Sequence, residues 1–271
     1  MMKTLALALL AVVTFGCHSA NKAPPSAEQV ASPAPAGHGD KDRKAEDKDD
    51  DDDKGVVANK QVGTSPAPNP TPPPQASGPA RTLSFDTDKV GGAPGGFTFG
   101  RTGKGAEGKW VVKAEQGAPS GANVLAQLGA DDTDYRFPVA LADAPSLADL
   151  RLSVKCKQVS GKVDQGCGLI FRATDPDNYY VTRANALEDN VRLYHVVKGS
   201  RVQFAGWDGK VKSGVWHDLR VDAKGDHLEV YFDGQKVMDA TDQTFKNAGK
   251  VGVWTKADSV IYFDDLTVAP L

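Results

Sequence analysis

Four side chains in one short polar stretch could remove a proton and steady the charge that follows. The string RANALEDNVRLYH, residues 183–195, places Arg183, Asn185, Glu188 and His195 between two apolar runs. A carboxylate such as Glu188 can act as a general base, and an arginine, amide or imidazole beside it can polarise a carbonyl and hold the developing oxyanion. The plainer reading of the same string is a solvated hairpin loop whose Asn and Asp serve turn geometry. It carries more weight, because no motif fixes these residues in mutual contact.

Other residues offer binding rather than turnover. Trp207 and Trp254 stand at strand ends where an indole can stack on a sugar ring, and Tyr194, Arg172 and Arg183 supply aromatic and charged neighbours. Partial burial is the competing use for the two tryptophans, while Trp110 and Trp216 are expected in the core. His195, His217 and His227 lack the close spacing of zinc ligands. Hard oxygens suited to a structural calcium gather in GADDTDY (129–135), in the DPDN string and at Asp264 and Asp265 of YFDDL. Each cluster also reads as a turn or a strand edge. The five aspartates 49–53 read as a solvated charge run.

These residues must be positioned by strands. From about residue 82 the apolar period becomes two: LRLSVKC (150–156), GLIFRA (168–173), NYYVTRA (178–184), VRLYHVV (191–197), HDLRVDA (217–223), HLEVYFDG (227–234), KVGVW (250–254) and VIYFDDLTV (260–268) are strand-length runs separated by turn clusters. Fainter candidates are TLSFD, GFTFG, KWVVKAE, NVLAQLG and YRFPVAL. The pattern predicts an all-β antiparallel sandwich or barrel, with Asp242 to Ala248 as the one place for a helical turn. Thr174 to Asp177 is expected as a four-residue turn between strands 168–173 and 178–184. Cys156 and Cys167 flank VSGKVDQG, read as a hairpin turning at Gly161-Lys162 that sets the two cysteines opposite each other on neighbouring strands. A disulfide there stabilises by about 3 kcal/mol in the chain-entropy model; two buried free thiols are the alternative.

Composition divides the chain into residues 1–17, 18–80 and 81–271. MMKTLALALLAVVTFGC has a positive start, an apolar run too short to span a bilayer and small residues before Cys17. Cys17 after Gly16 resembles the lipobox of bacterial lipoproteins, although Thr14 and Phe15 depart from the usual Leu and small residue. Lipidation of Cys17 is therefore expected, and His18 rather than Asp after it points to the outer membrane. Residues 18–80 are rich in Pro, Ala, Ser and Asp and are expected to be a disordered tether. The net charge of -3 and pI near 6.0 argue against a nucleic-acid partner.

Three stretches carry a family resemblance. CGLIFRATDPDNYYVTRA, GVWHDLRVDAKGDHLEVYFDGQKV and GKVGVWTKADSVIYFDDLTV resemble the laminin-G-like, concanavalin A-like jelly rolls of the 3-keto-disaccharide hydrolase-like group, often placed beside family 16 (laminarinase-type) glycoside hydrolases. The likeness is close over 145–271 and loose over 82–144. It implies a jelly-roll sandwich and either glycan recognition or cleavage of a 3-keto-glycoside, in which one base and an oxyanion stabiliser suffice. A laminarinase-type mechanism is rejected: Glu-x-Asp-x-Glu does not occur, and Glu229 and Asp233, four residues apart on a strand, are separated by roughly 13 Å where about 5–5.5 Å is needed. The expected protein is a lipid-anchored envelope monomer whose jelly roll binds a glycan or envelope partner without catalysis. A 3-keto-glycoside hydrolase or lyase is the first alternative, and a structural surface protein without a small ligand is the second.

Overall fold

Alternation of apolar and polar residues becomes buried stripes. In β12 (His227–Phe232) Leu228, Val230 and Phe232 are buried while His227 is exposed. Asp233 and Gly234, at φ 47° and 80°, then turn the chain into β13 (Gln235–Thr241), using the positive-φ pair that Asp-Gly hairpins favour. The computed structural model describes residues 79–271; Cys17 and the tether lie outside them. Among the described residues there are fifteen strands and no helix. The candidate helical turn near Asp242 is irregular chain.

The strands form two antiparallel sheets. One runs in the order β13, β12, β11 (Trp216–Lys224), β6 (Leu150–Ser160), β15 (Val260–Pro270), β4 (Asn123–Gln127), β3 (Trp110–Ala114), with β1 (Arg81–Leu83) added to β15. The other runs β10 (Ser200–Asp208), β9 (Asn190–Val197), β8 (Asn178–Asn185), β7 (Gly166–Asp175), β14 (Lys250–Thr255), β5 (Arg136–Ala142), β2 (Phe97–Gly103). The main core fills the space between them, with Leu152, Leu219 and Phe263 from the first sheet meeting Leu169, Tyr180 and Leu193 from the second. The described residues form an all-β sandwich of jelly-roll type.

Two local expectations are corrected. Cys156 and Cys167 form a disulfide, but not across a hairpin: β6 pairs with β11 and β15, and β7 pairs with β8 and β14, so the bond joins the two sheets. The segment Gly161–Gln165 is a crossover, held because the Asp258 carboxylate accepts the backbone N–H groups of Lys162, Val163 and Asp164. A Cβ on Gly161 would stand 1.9 Å from the Asp164 carbonyl oxygen, so the bend requires glycine there. The DPDN turn is also tighter than expected. Asp175 pairs directly with Asn178, leaving two residues at the tip, after a bulge that puts Arg172 at φ 51°.

The second sheet is rolled. In a flat sheet β10 and β5 would stand about 24 Å apart, at ~4.8 Å per strand. Instead the Arg201 guanidinium of β10 lies 4.6 Å from the centre of the Phe137 ring of β5. Tyr135, just before β5, donates its hydroxyl to the Gly199 carbonyl, and Thr102 of β2 donates to the Pro176 carbonyl. The roll encloses a second apolar cluster that includes Phe137, Val139, Ile170, Val181, Val196 and Trp254. Strand β5 is consequently buried at every position. The face bearing Arg183 and the aromatics is therefore largely packed, and Glu188 is the member of its polar group that reaches solvent at one rim.

Candidate functional site

The rim is built by the turn between β8 and β9. Asn185 and Asn190 pair to close it, and the Asn185 Oδ1 accepts the backbone N–H groups of Leu187 (2.9 Å) and Glu188 (3.3 Å), an Asx-type turn. That bend sends Glu188 back over Arg183, whose NH2 donates to Glu188 Oε2 at 2.7 Å and to the Tyr194 hydroxyl at 3.1 Å. The Arg183 NH1 donates to Asn190 Oδ1, and the Asn190 amide donates to Glu188 Oε2 at 3.1 Å. Arg183 is buried and Glu188 is 42% exposed, so the pair presents one carboxylate to solvent from a fixed base.

A second carboxylate arrives from the crossover. Asp164 is 1% exposed; its Oδ1 accepts from the Asn185 amide at 3.2 Å and its Oδ2 stands 3.2 Å from Lys256 Nζ. Lys256, in the turn after β14, also pairs with Asp134 at 2.8 Å. The same turn is anchored by Arg136 donating to the Ala257 carbonyl and by the Asp258 contacts already described. Burial pushes the Asp164 carboxyl up despite Lys256 and Arg183. For Glu188 burial also works upward, but Arg183 and Asn190 outweigh it and hold the carboxyl below the usual range. Burial works to lower the Lys256 ammonium, and Asp164 and Asp134 more than offset it, leaving it raised. Two carboxyls with opposed shifts in one polar network can hold a proton on one and a charge on the other. Of the two, Glu188, held low, is the weaker base and Asp164, pushed up, the stronger.

The other anticipated residues are dispersed. His195 faces the opposite side of β9, where its Nδ1 meets Asp242 Oδ2 at 3.3 Å and its ring stacks on Phe204; it does not join Glu188. Arg172 is buried and donates to the carbonyls of Ala148 and Phe245, a structural tie outside the site. Trp254 is wholly buried against Phe137, which corrects its expected use as a sugar platform. Trp207 is partly buried beside Phe232 in the main core, and Tyr194 is buried with its hydroxyl on Arg183. Trp110 is in the core as expected, and Trp216 packs on the apolar group around Tyr262. Asp164, Lys256, Asn190 and Arg201 were absent from the sequence-derived set. Asp164 sat inside a presumed hairpin turn, and Lys256 in an unremarkable TKADS turn; only the sheet crossover brings them together.

Possible cation ligands lie elsewhere. Asp264 is buried and accepts the Ser120 N–H at 3.0 Å, while Asp265 accepts the Ser120 hydroxyl at 2.7 Å. Burial raises the Asp264 carboxyl, and Asp265 and Asp86 add to the effect. Hard oxygens with no basic side chain paired to them among the described residues suit calcium. His227, Glu229 and Asp239 bring ligand atoms within 4.8 Å of one another across β12 and β13, a proximity invisible in linear spacing. Lys236 bonds both carboxylates there, at 3.0 and 2.8 Å, and supplies the positive charge.

The family model for the 3-keto-alpha-glucoside-1,2-lyase-like domain matches residues 103–269. The chain belongs to this family. The matched span of the lyase-like domain contains the whole rim cluster from Asp134 to Lys256. The domain is similar to the carbohydrate-binding module CBM66 from Bacillus subtilis, at 21% identity over 64% of this chain and 96% of that one, with a TM-score of 0.51. It is similar also to the exoplasmic/lumenal domain of VIP36 in a Ca2+/Man-bound form, at 12% identity over 71% and 89% of the two chains, with a TM-score of 0.50. At these identities the likeness is one of fold. No curated protein matches the sequence.

Proposed function

We propose that this lyase-like domain binds a glycan of the cell envelope at the rim formed by Arg183, Glu188, Asn190, Asp164 and Lys256, without turning it over. The observation that carries the reading is the prior engagement of each of these side chains: Arg183, Asn190 and Lys256 are all held by protein partners. Groups fixed in this way hold the exposed Glu188 carboxylate in one place, so that it loses little entropy on binding. Glu188, held below the usual carboxylate range once Arg183 and Asn190 outweigh its burial, is poorly suited to abstract a proton. Isothermal titration against a panel of envelope glycans is the test. Binding without product, weakened about tenfold in Asn190→Ala, ~1.4 kcal/mol, supports it; release of product from a 3-keto-disaccharide overturns it.

One observation favours lyase chemistry as a second reading. Asp164, its carboxyl raised by burial, is placed to carry a proton beside the Lys256 ammonium. On that reading Asp164→Asn abolishes turnover of a 3-keto-glycoside. We further propose that the chain is exported, lipidated at Cys17 and displayed at the outer membrane as a monomer on its Pro- and Asp-rich tether. Labelling with an alkyne fatty acid, lost in Cys17→Ser, tests the anchor, and light scattering of the soluble form tests the monomer.

A further inference from the structure

Every arginine of the rolled sheet but one makes side-chain hydrogen bonds, although Arg172 NH2 and Arg183 Nε each stay buried without a hydrogen-bond partner. Arg136 donates to the carbonyls of Ala106, Glu107 and Ala257, Arg172 to those of Ala148 and Phe245, and Arg183 to Glu188, Asn190 and Tyr194. Arg201 is the exception. Its guanidinium lies 4.5 Å from the centre of the Tyr194 ring, 4.6 Å from that of Phe137 and 5.8 Å from Trp254, yet its NH1 is buried with no hydrogen-bond partner. Among the described residues no carboxylate pairs with it. Contact with the rings compensates part of its charge, but the buried NH1 of this half-buried side chain, without an acceptor, keeps its desolvation cost.

The placement of Arg201 is not accidental to the fold. Its backbone N–H donates to the Tyr135 hydroxyl, and the preceding turn is pinned from the DPDN tip: Gly199 N–H donates to the Asp177 carbonyl, and Lys198 N–H to Asn178 Oδ1. Arg201 and Arg183 both lie over the Tyr194 ring, Arg183 at 5.8 Å. Arg183 has Glu188 as counter-charge, so the surplus positive charge beside the rim belongs to Arg201. A bidentate carboxylate is the acceptor whose geometry fits a guanidinium fork.

We infer that Arg201 selects acidic glycans, its guanidinium receiving the carboxylate of a uronic acid residue whose hydroxyls meet the Arg183–Glu188 rim. The inference rests on the glycan-binding reading above and narrows its ligand to one class. The test compares tetramers of galacturonic, glucuronic and mannuronic acid with their methyl esters, which keep the sugar and remove the charge. At low salt at least one free acid binds about tenfold or more tighter than its ester, and added salt narrows the gap. In Arg201→Gln that advantage disappears while ester binding is unchanged; Arg201→Lys, which keeps the charge, retains part of it. Melting curves identify any variant that fails to fold, and the acid-to-ester ratio of the unmodified protein decides without them. Equal affinity for acid and ester, or binding confined to neutral glycans, overturns the inference and leaves glycan binding standing. Binding to no glycan of either kind removes both.

Discussion

At the scale of single residues the rim is a set of unequal partners. Arg183 is 6% exposed and serves three groups, whereas Glu188 is 42% exposed and can turn to water. Arg183→Met should therefore cost about 3 kcal/mol of stability, the scale for stripping one partner from a buried pair. Glu188→Gln should cost about 1 kcal/mol or less. Urea denaturation of both variants checks the order, and equal losses would contradict it. The carboxyls also predict opposite pH responses. Burial raises Asp164 in the folded state, so the folded protein takes up its proton more readily and Asp164 weakens stability as pH rises above about 4. Asp164→Asn should accordingly be more stable than the parent at pH 7, with the gap closing near pH 3. For Asp258 burial works upward, but the backbone amides of Lys162, Asp164 and Val163 more than compensate and hold it low. It contributes stability above about pH 4 that is lost as pH falls through its folded value, and Asp258→Asn should be less stable at neutral pH by about 1–3 kcal/mol. Melting temperatures across pH 3–8 test both signs.

At the scale of elements, the crossover between β6 and β7 matters most. Reduction or the double change Cys156→Ser, Cys167→Ser should lower stability by about 3 kcal/mol, measurable by denaturant titration. The strands themselves were legible in the sequence: Leu228, Val230 and Phe232 alternate as a half-buried strand must. The partition of strands between sheets was not. VSGKVDQG has glycines where a hairpin would have them, and only the amide contacts of Asp258, 94 residues or more away, make it a crossover. The site was half legible for the same reason. Arg183, Asn185 and Glu188 are neighbours in the chain and stayed neighbours in space, whereas Asp164 and Lys256 meet them through sheet topology. Trp254 failed as a platform because the curl of its sheet, set by contacts such as Tyr135 with Gly199, has no local signature.

At the scale of the molecule, two ties hold the sandwich beyond its core. One is the Asp264 and Asp265 junction with the loop at Ser120. Calcium at about a hundredfold excess over its dissociation constant should stabilise the domain by about 2.7 kcal/mol and raise its melting temperature by about 5 °C. Chelator should reverse the shift and Asp264→Asn abolish it; scanning calorimetry would show whether calcium leaves the curve unmoved. The other tie is the disulfide, and it encloses more than a fold. Asp164 lies inside the ring of chain that Cys156 and Cys167 close. The Asp164 side of the rim thus depends on a bond that a reducing cytosol does not form. Protein prepared in the cytosol of an expression host and protein exported through an oxidising compartment are, at this rim, different reagents. Their affinities for one glycan should differ until the cytosolic preparation is oxidised.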